Sequence, residues 1–291
     1  MFNETEDMAF CRVIALAQQW SGCNFTRYNP STLRRRVARR MIDVRCQSAE
    51  EYLAYLENNP AEYRKLVSAM TIKVSHFFRD PEVFTLIEQL ILPRILETAT
   101  TSPRAAVRIW SSACACGEEA YSLAILVAEL LHKQSSSQTV SILGTDLDGD
   151  CLAVAAEGIY HEESLRHIPE PLRNRYFSQP ASLSGQYWQV TSRLRSMVNF
   201  VSFDLTNPSR MAPPSGIFSE YDFILCRNML IYCQHALKLD ILRRFHTCLR
   251  PNGYLALGRS ESLPEAYQDF FVPVEPRLKI YLKKEVFRVP E

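Results

Sequence analysis

No stretch of the 291 residues offers eighteen or more consecutive apolar side chains, the length a helix needs to cross a bilayer. The N-terminus, MFNETEDMAF, also lacks the basic then apolar order of a secretory signal, so a cytoplasmic location is expected. No C-x-x-C occurs among the nine cysteines, whose closest pair is Cys114-x-Cys116. A zinc knuckle, a thioredoxin-like motif and a disulfide framework are therefore unsupported, and the expectation is reduced thiols and no metal. Glycine is scarce, and neither G-x-G-x-x-G nor G-x-x-x-x-G-K-[ST] is present, although a pyrophosphate or triphosphate ligand needs such donor-rich turns. A formal net charge of +1 argues against a general nucleic-acid binder.

What the chain does have is a hydrophobic content of 47%, enough for a real core, and one organising stretch, VRIWSSACACGEEAYS, from Val107 to Ser122. A β-branched run passes through small residues to Gly117 and then into a helical pattern. That is the form of a buried strand turning into a helix where a ligand approaches main chain, and Gly117 suits a turn needing positive φ. Glu118 and Glu119 at this turn repel phosphate and attract a cation. S-adenosylmethionine, with an ammonium and a sulfonium, becomes the leading ligand and a methyltransferase the leading class.

Residues 1–80 read as an N-terminal helical domain. Phe10, Val13, Ile14, Ala17 and Trp20 keep one helix face, Leu33, Val37 and Met41 repeat it, and Tyr52, Leu53, Leu56 and then Leu66, Ala69, Met70 follow. Ser31 or Thr32 can cap a helix carrying Arg34, Arg35, Arg36, Arg39 and Arg40, with Arg45 beyond. A solvated face is the plain reading of such a run; six arginines against one acid, Asp43, point instead to a docking surface for an acidic partner. Residues 71–84, TIKVSHFFRDPEVF, read either as a linker whose aromatics pack or as part of the site, with Pro81 opening a helix that runs to about Leu96.

Residues 81–291 alternate helix and strand as a doubly wound α/β sheet does. Core strands are expected at the organising stretch, Val140–Leu147, Asn199–Leu205, Tyr221–Cys226, Tyr254–Leu257 and, near the edge, Lys279–Lys283. Tyr187–Val190 and Leu194–Val198 suggest a small antiparallel β insert over about 178–198. Asp146 ends the second strand, where an acid either holds ribose hydroxyls or caps the next helix.

The motifs FFRD (Phe77 to Asp80), GEEAYS (Gly117 to Ser122), TDLD (Thr145 to Asp148), CRNMLIY (Cys226 to Tyr232) and GRSES (Gly258 to Ser262) occur in that order. With the basic helical domain in front and the β insert between, they resemble the CheR family of chemoreceptor methyltransferases, including its PilK-like, type IV pilus-associated branch. The resemblance implies a Rossmann-like S-adenosylmethionine methyltransferase sheet behind an all-α N-terminal domain, transferring methyl to glutamate side chains of a receptor and releasing S-adenosylhomocysteine. It implies cofactor contacts at Lys73, Ser75, Arg79, Glu119, Asp146, Asp204, Leu205, Arg227 and Asn228: Asp146 on the ribose, Glu119 on the methionyl ammonium, Asp204 and Leu205 about the adenine. Arg79 and Tyr232 become the catalytic candidates. A glutamate, with a reference pKa of about 4.3, is already ionised at neutral pH and needs no general base, so these two residues would orient it.

The chain departs from the family pattern at Lys73, where Asn is usual, at Cys116, where a hydroxyl is usual, and at Arg259 in place of His. The expected partner is the cytoplasmic signalling domain of a receptor docked through the arginine helix, with no nucleic acid or membrane insertion and a monomer as the default. The competing readings are a weakened CheR-like binding module on a receptor array, or a methyltransferase for RNA or a small molecule.

Overall fold

The computed structural model describes residues 4–71, 75–100, 106–180, 185–214 and 220–285. It divides into two compact units: Met1–Ile72 with Asp204–Arg210 and Ile231–Ile241, and Lys73–Phe203 with Met211–Leu230 and Leu242–Glu291.

The first unit is built on helices α1 (Glu4–Ser21), α2 (Pro30–Asp43), α3 (Ala49–Asn58) and α4 (Pro60–Met70). The periodic apolar positions make its core, with Val13, Ile14, Ala17, Leu33, Val37, Tyr52, Leu56, Leu66 and Met70 all buried. Trp20 departs from the expected face: it is 50% exposed and lies flat against Tyr63, ring centroids 6.4 Å apart. The second helix starts earlier than expected, at Pro30, which needs no N–H at a first helical position. Neither Ser31 nor Thr32 is its cap; Asn29 precedes it and donates its side-chain amide to the Ile231 carbonyl at 2.9 Å.

The arginine run on α2 is divided by packing. Arg34 pairs with Asp7 at 2.8 Å and covers the Phe10 ring. Arg36 donates to the carbonyls of Ala69 and Met70 and lies 5.2 Å over the Tyr232 ring. Arg40 grips the buried Glu62 with two bonds of 2.8 and 2.9 Å, and Tyr52 donates its hydroxyl to the same carboxylate. Only Arg35, Arg39 and Arg45 are largely exposed. A buried carboxylate needs such partners to offset lost hydration, which ties half of the run to the helical core.

The second unit opens with α5 (Pro81–Leu86), a π turn over Ile87–Ile91 and α6 (Leu92–Thr100). The π turn comes just ahead of Pro93, which has no N–H to give to the preceding turn. Next come β1 (Ala106–Ser112), α7 (Glu118–Lys133), β2 (Thr139–Asp146), α8 (Gly149–Glu157), β3 (Ile159–His161), α9 (Glu170–Tyr176), β4 (Phe177–Ser178), β5 (Tyr187–Val190), α10 (Ser192–Arg195), β6 (Val198–Ser202) and β7 (Tyr221–Cys226). The chain continues through α11 (His235–Cys248), β8 (Leu249–Leu257), α12 (Glu265–Gln268), β9 (Phe271–Glu275) and β10 (Ile280–Lys283).

Seven strands form one sheet in the order β6-β2-β1-β7-β8-β10-β9; the first five are parallel and the last two antiparallel. Strand order reverses between β1 and β7, and the crevice beyond the carboxyl ends at such a point is where doubly wound sheets take ligands. The central strand β7 is mostly apolar and every one of its residues is buried, Asp222 included. Trp110 of β1 is fully buried, packs edge-on to Phe245, and satisfies its indole N–H on Thr145 Oγ1 at 2.8 Å.

β10 is near the edge, as expected, with β9 outside it; Pro273 sits in that outer strand, where a missing N–H is tolerated. Two expectations are corrected. The insert is a three-stranded sheet, order β3-β5-β4, so it begins at Ile159. Its expected strand over Leu194–Val198 is instead the helical turn α10 over Ser192–Arg195, with Leu194 wholly buried, leading into β6, which starts at Val198.

Candidate functional site

The turn between β1 and α7 alternates hands. Ala113, Ala115 and Gly117 all have positive φ, at 54°, 50° and 91°. Each alanine there costs about 1–2 kcal/mol relative to a right-handed conformation. The coil is held by Cys114 N–H on the Thr145 carbonyl, 2.9 Å, and Gly117 N–H on the Cys114 carbonyl, 3.0 Å. Gly117 is required twice over, because a Cβ there would come within 2.9 Å of Ala155 Cβ and Phe200 Cζ. Phe200 also lies on Gly144 of β2, so the aromatic ring braces the turn from below.

Carboxylates surround this turn. Asp146, at the end of β2, accepts Ala115 N–H on Oδ2 and Asp148 N–H on Oδ1, both at 2.9 Å. The capping alternative for Asp146 falls to its neighbour: Asp148 takes the N–H groups of Asp150 and Cys151 at the start of α8. Burial raises the Asp146 carboxyl above its usual range, opposed by those two N–H donors. Glu118 is pushed up to about 7 by burial, against the lowering effect of backbone N–H and the Ser75 hydroxyl. Glu119 is bound at both oxygens, by Ser111 Oγ at 2.8 Å and Arg227 Nη1 at 3.2 Å.

Arg227, just past β7, ties the rest together. Its Nη2 donates to Asp80 Oδ2 at 2.6 Å and to the Arg79 carbonyl at 2.8 Å, and the guanidinium lies 5.5 Å over the Phe84 ring. The loop bearing Arg79 is further fastened by Phe78 N–H on Ser122 Oγ, 3.0 Å. Phe78 and Asp80 both have positive φ, which this clamp maintains. Asn228 also has positive φ, and its N–H shares Glu261 Oε2 with the N–H of Gly258. A Cβ at Gly258 would lie 2.7 Å from Asn228 N, so only glycine permits this approach.

Of the residues expected from the sequence, Ser75, Arg79, Glu119, Asp146, Arg227 and Asn228 belong to this unit, where Glu119, Arg227 and the Arg79 backbone are joined directly. Lys73 lies outside the described residues. Asp204, Leu205 and Tyr232 belong to the other unit. There Asp204 Oδ1 accepts both the N–H and the hydroxyl of Thr206 at 2.7 Å, Leu205 is buried, and Tyr232 lies under Arg36. Ser111, Asp80 and Glu261 were not singled out from sequence. Asp80 and Glu261 stand inside FFRD and GRSES, but nothing local announces a partner 147 residues away for Asp80.

The residues present suit S-adenosylmethionine. Among the described residues, Ser112 Oγ and Asn228 Oδ1 are buried without hydrogen-bond partners at the carboxyl ends of the neighbouring strands β1 and β7. Buried polar atoms are rarely left so, and these two stand where doubly wound sheets take polar ligands. No group of three or more His, Cys, Asp or Glu suited to a metal occurs among the described residues, and none of their helices is long and apolar enough to cross a membrane.

Comparison with known proteins agrees with this chemistry. Residues 73–277 match the family model for the CheR methyltransferase SAM binding domain, and residues 8–71 match that for the CheR methyltransferase all-alpha domain. A chemotaxis protein methyltransferase of Klebsiella aerogenes is 30% identical over 268 residues, covering 91% of this chain and 87% of that protein. Chemotaxis protein methyltransferase 2 of Pseudomonas aeruginosa is 32% identical over 231 residues, 79% of this chain and 78% of that one. An uncharacterized 104.1 kDa protein of Rhodobacter capsulatus is 33% identical over 265 residues, so the chain spans 91% of itself but only 26% of that longer protein.

Proposed function

The chain belongs to the CheR methyltransferase family, and from that premise we propose that it transfers a methyl group from S-adenosylmethionine to glutamate carboxylates of a chemoreceptor, in chemotaxis or pilus chemosensory signalling. The observation that carries this reading is the chain of charges Glu119–Arg227–Asp80 at the carboxyl edge of the sheet, which joins the cofactor turn to the Arg79 loop.

The cofactor supplies a methyl group on a positively charged sulfur. Asp146, its carboxylate already oriented by two N–H donors, accepts ribose hydroxyls. Glu119 holds the methionyl ammonium, and Ser111 and Arg227 keep its oxygens in place. Ser75, Lys73 and Asn228 offer polar contacts to the methionyl end. Asp204 and Leu205 flank the adenine, and Tyr232 stands near the methyl group; for these three the support is the sequence match. Arg79 orients the incoming carboxylate, which is ionised at neutral pH, so positioning and water exclusion supply the rate rather than proton transfer.

The helical domain, expected over residues 1–80 and compact as far as Ile72, serves for docking, and the sheet domain that follows serves for transfer. Within the arginine helix Arg35 and Arg39, with Arg45 beyond, make the surface an acidic receptor helix meets, because Arg34, Arg36 and Arg40 are engaged internally. Incubation with tritiated S-adenosylmethionine and cytoplasmic fragments of the organism's receptors should give alkali-labile label on receptor, lost with Asp146→Ala. Base-stable label on RNA, or no label with cofactor bound, would overturn the reading.

A further inference from the structure

Two of the nine cysteines stand apart. Cys116 Sγ and Cys151 Sγ are 3.0 Å from each other, without a disulfide between them. Cys116 is partly exposed in the cofactor turn, immediately ahead of Gly117 at the start of α7; Cys151 is buried in the first turn of α8. Their backbones are held separately. The Cys116 carbonyl accepts the Tyr160 hydroxyl at 2.6 Å, and Cys151 N–H donates to Asp148 Oδ1 at 3.1 Å.

Cys116 stands two residues ahead of the start of α7, and Cys151 is the third residue of α8. The third thiol of the turn, Cys114, is wholly buried, and burial together with Asp146, Glu119 and Glu118 pushes it well above the usual thiol range. Cys116 is thus the thiol in this turn open to a small oxidant, and Cys151 is in place to resolve it.

We propose that Cys116 and Cys151 are a peroxide-oxidisable dithiol whose disulfide reshapes the cofactor turn. In the first step the Cys116 thiolate attacks a peroxide oxygen; an S–O bond forms, the O–O bond breaks, and the leaving hydroxide takes up a proton as water. In the second, Cys151 sulfur attacks the resulting sulfenic sulfur; the S–S bond forms, the S–O bond breaks, and the departing hydroxide carries off the Cys151 proton as a second water. Two electrons pass from the two sulfurs to hydrogen peroxide, and a dithiol reductant returns them. A disulfide needs about 2.05 Å between sulfurs, so the pair must close by about 1 Å.

That movement draws on the residues flanking Cys116: Ala115, whose N–H holds Asp146, and Gly117, which has no spare room against Ala155 and Phe200. A misplacement of about 1 Å around a reacting site can cost about a hundredfold in rate. The effect on binding rests on reading this turn as the S-adenosylmethionine site; formation of the bond does not.

The test treats the full chain with hydrogen peroxide, blocks remaining thiols and digests with trypsin, which cuts at Lys133 between the two cysteines. The expected result is a linked peptide pair assigned by fragmentation to Cys116 and Cys151, removed by dithiothreitol, with S-adenosylhomocysteine binding weakened at least tenfold in the oxidised protein and restored on reduction. Cys151→Ala should give no linked peptide but a dimedone-trapped sulfenic acid at Cys116, and Cys151→Ser serves if the alanine variant is unstable. A native protein yielding no Cys116–Cys151 peptide, or a quantitative disulfide that leaves binding unchanged, overturns the proposal. If the reduced protein binds no cofactor, the functional reading fails, while the linked peptide still supports the dithiol.

Discussion

Arg227 is the residue whose loss should tell most. Its side chain is only 2% exposed, and it neutralises Glu119, 13% exposed, and Asp80, 27% exposed, while donating to the Arg79 carbonyl. Arg227→Met keeps much of the volume and the contact with Phe84 but leaves two carboxylates facing one another without a cation. Removing one partner of a buried charge pair costs about 3–5 kcal/mol, because the remaining charge stays desolvated. At about 2 °C per kcal/mol for a large domain, the melting temperature should fall by roughly 6 °C or more. Arg227→Lys retains the charge but not the planar fork that reaches three acceptors, so it should fall between. Adding Glu119→Gln to Arg227→Met should recover part of the loss, with a coupling of about 1–3 kcal/mol in a double-mutant cycle. Calorimetry with and without S-adenosylhomocysteine reads both stability and binding. An Arg227→Met protein that melts within a degree of wild type would refute the electrostatic account of this centre.

Glu118 gives a pH signature. Its carboxyl, about 7 in the fold against 4.5 ordinarily, keeps a proton that the unfolded chain has released, so this group's contribution is full below about pH 4.5 and is lost as pH rises through 7. The shift corresponds to about 3 kcal/mol. Urea denaturation should find Glu118→Gln nearly equal to wild type at pH 4.5 and about 3 kcal/mol more stable at pH 8; parallel profiles would dismiss the burial effect. Gly144→Ala would bring a Cβ to 2.6 Å from two Phe200 ring atoms, and should cost about 1–3 kcal/mol; Phe200→Leu should restore part of that in the same denaturation assay. Ala113→Gly removes a left-handed alanine and should raise stability by about 1 kcal/mol, net of the added freedom of the unfolded chain.

Much of the architecture was legible because its signals are local. Apolar spacing placed α1 to α4, and the alternation of helices with β-branched runs placed the parallel sheet. Strand β9 escaped because FVPVE contains proline and neither alternates cleanly nor runs apolar, and β3 because three residues carry no period. The arginine run on α2 looked like one surface, yet Arg34, Arg36 and Arg40 turn toward Asp7, the Ala69 and Met70 carbonyls, and Glu62. A charged side chain's use depends on partners distant in sequence, which its own neighbours do not reveal.

The same division holds at the site. The order of motifs by itself determined the family and the cofactor class, and it drew attention to the acids Glu119 and Asp146, because a ligand-binding turn needs particular residue types at short spacing. Only tertiary structure decided that Asp148 rather than Asp146 caps α8, that Arg227 joins Glu119 to Asp80, and that Cys116 meets Cys151. The last two contacts link elements far apart in the chain, and their geometry comes from the sheet order that brings β1, β2 and β7 together. Hydrogen bonds and charge pairs act over a few ångströms of space, whatever the separation along the chain.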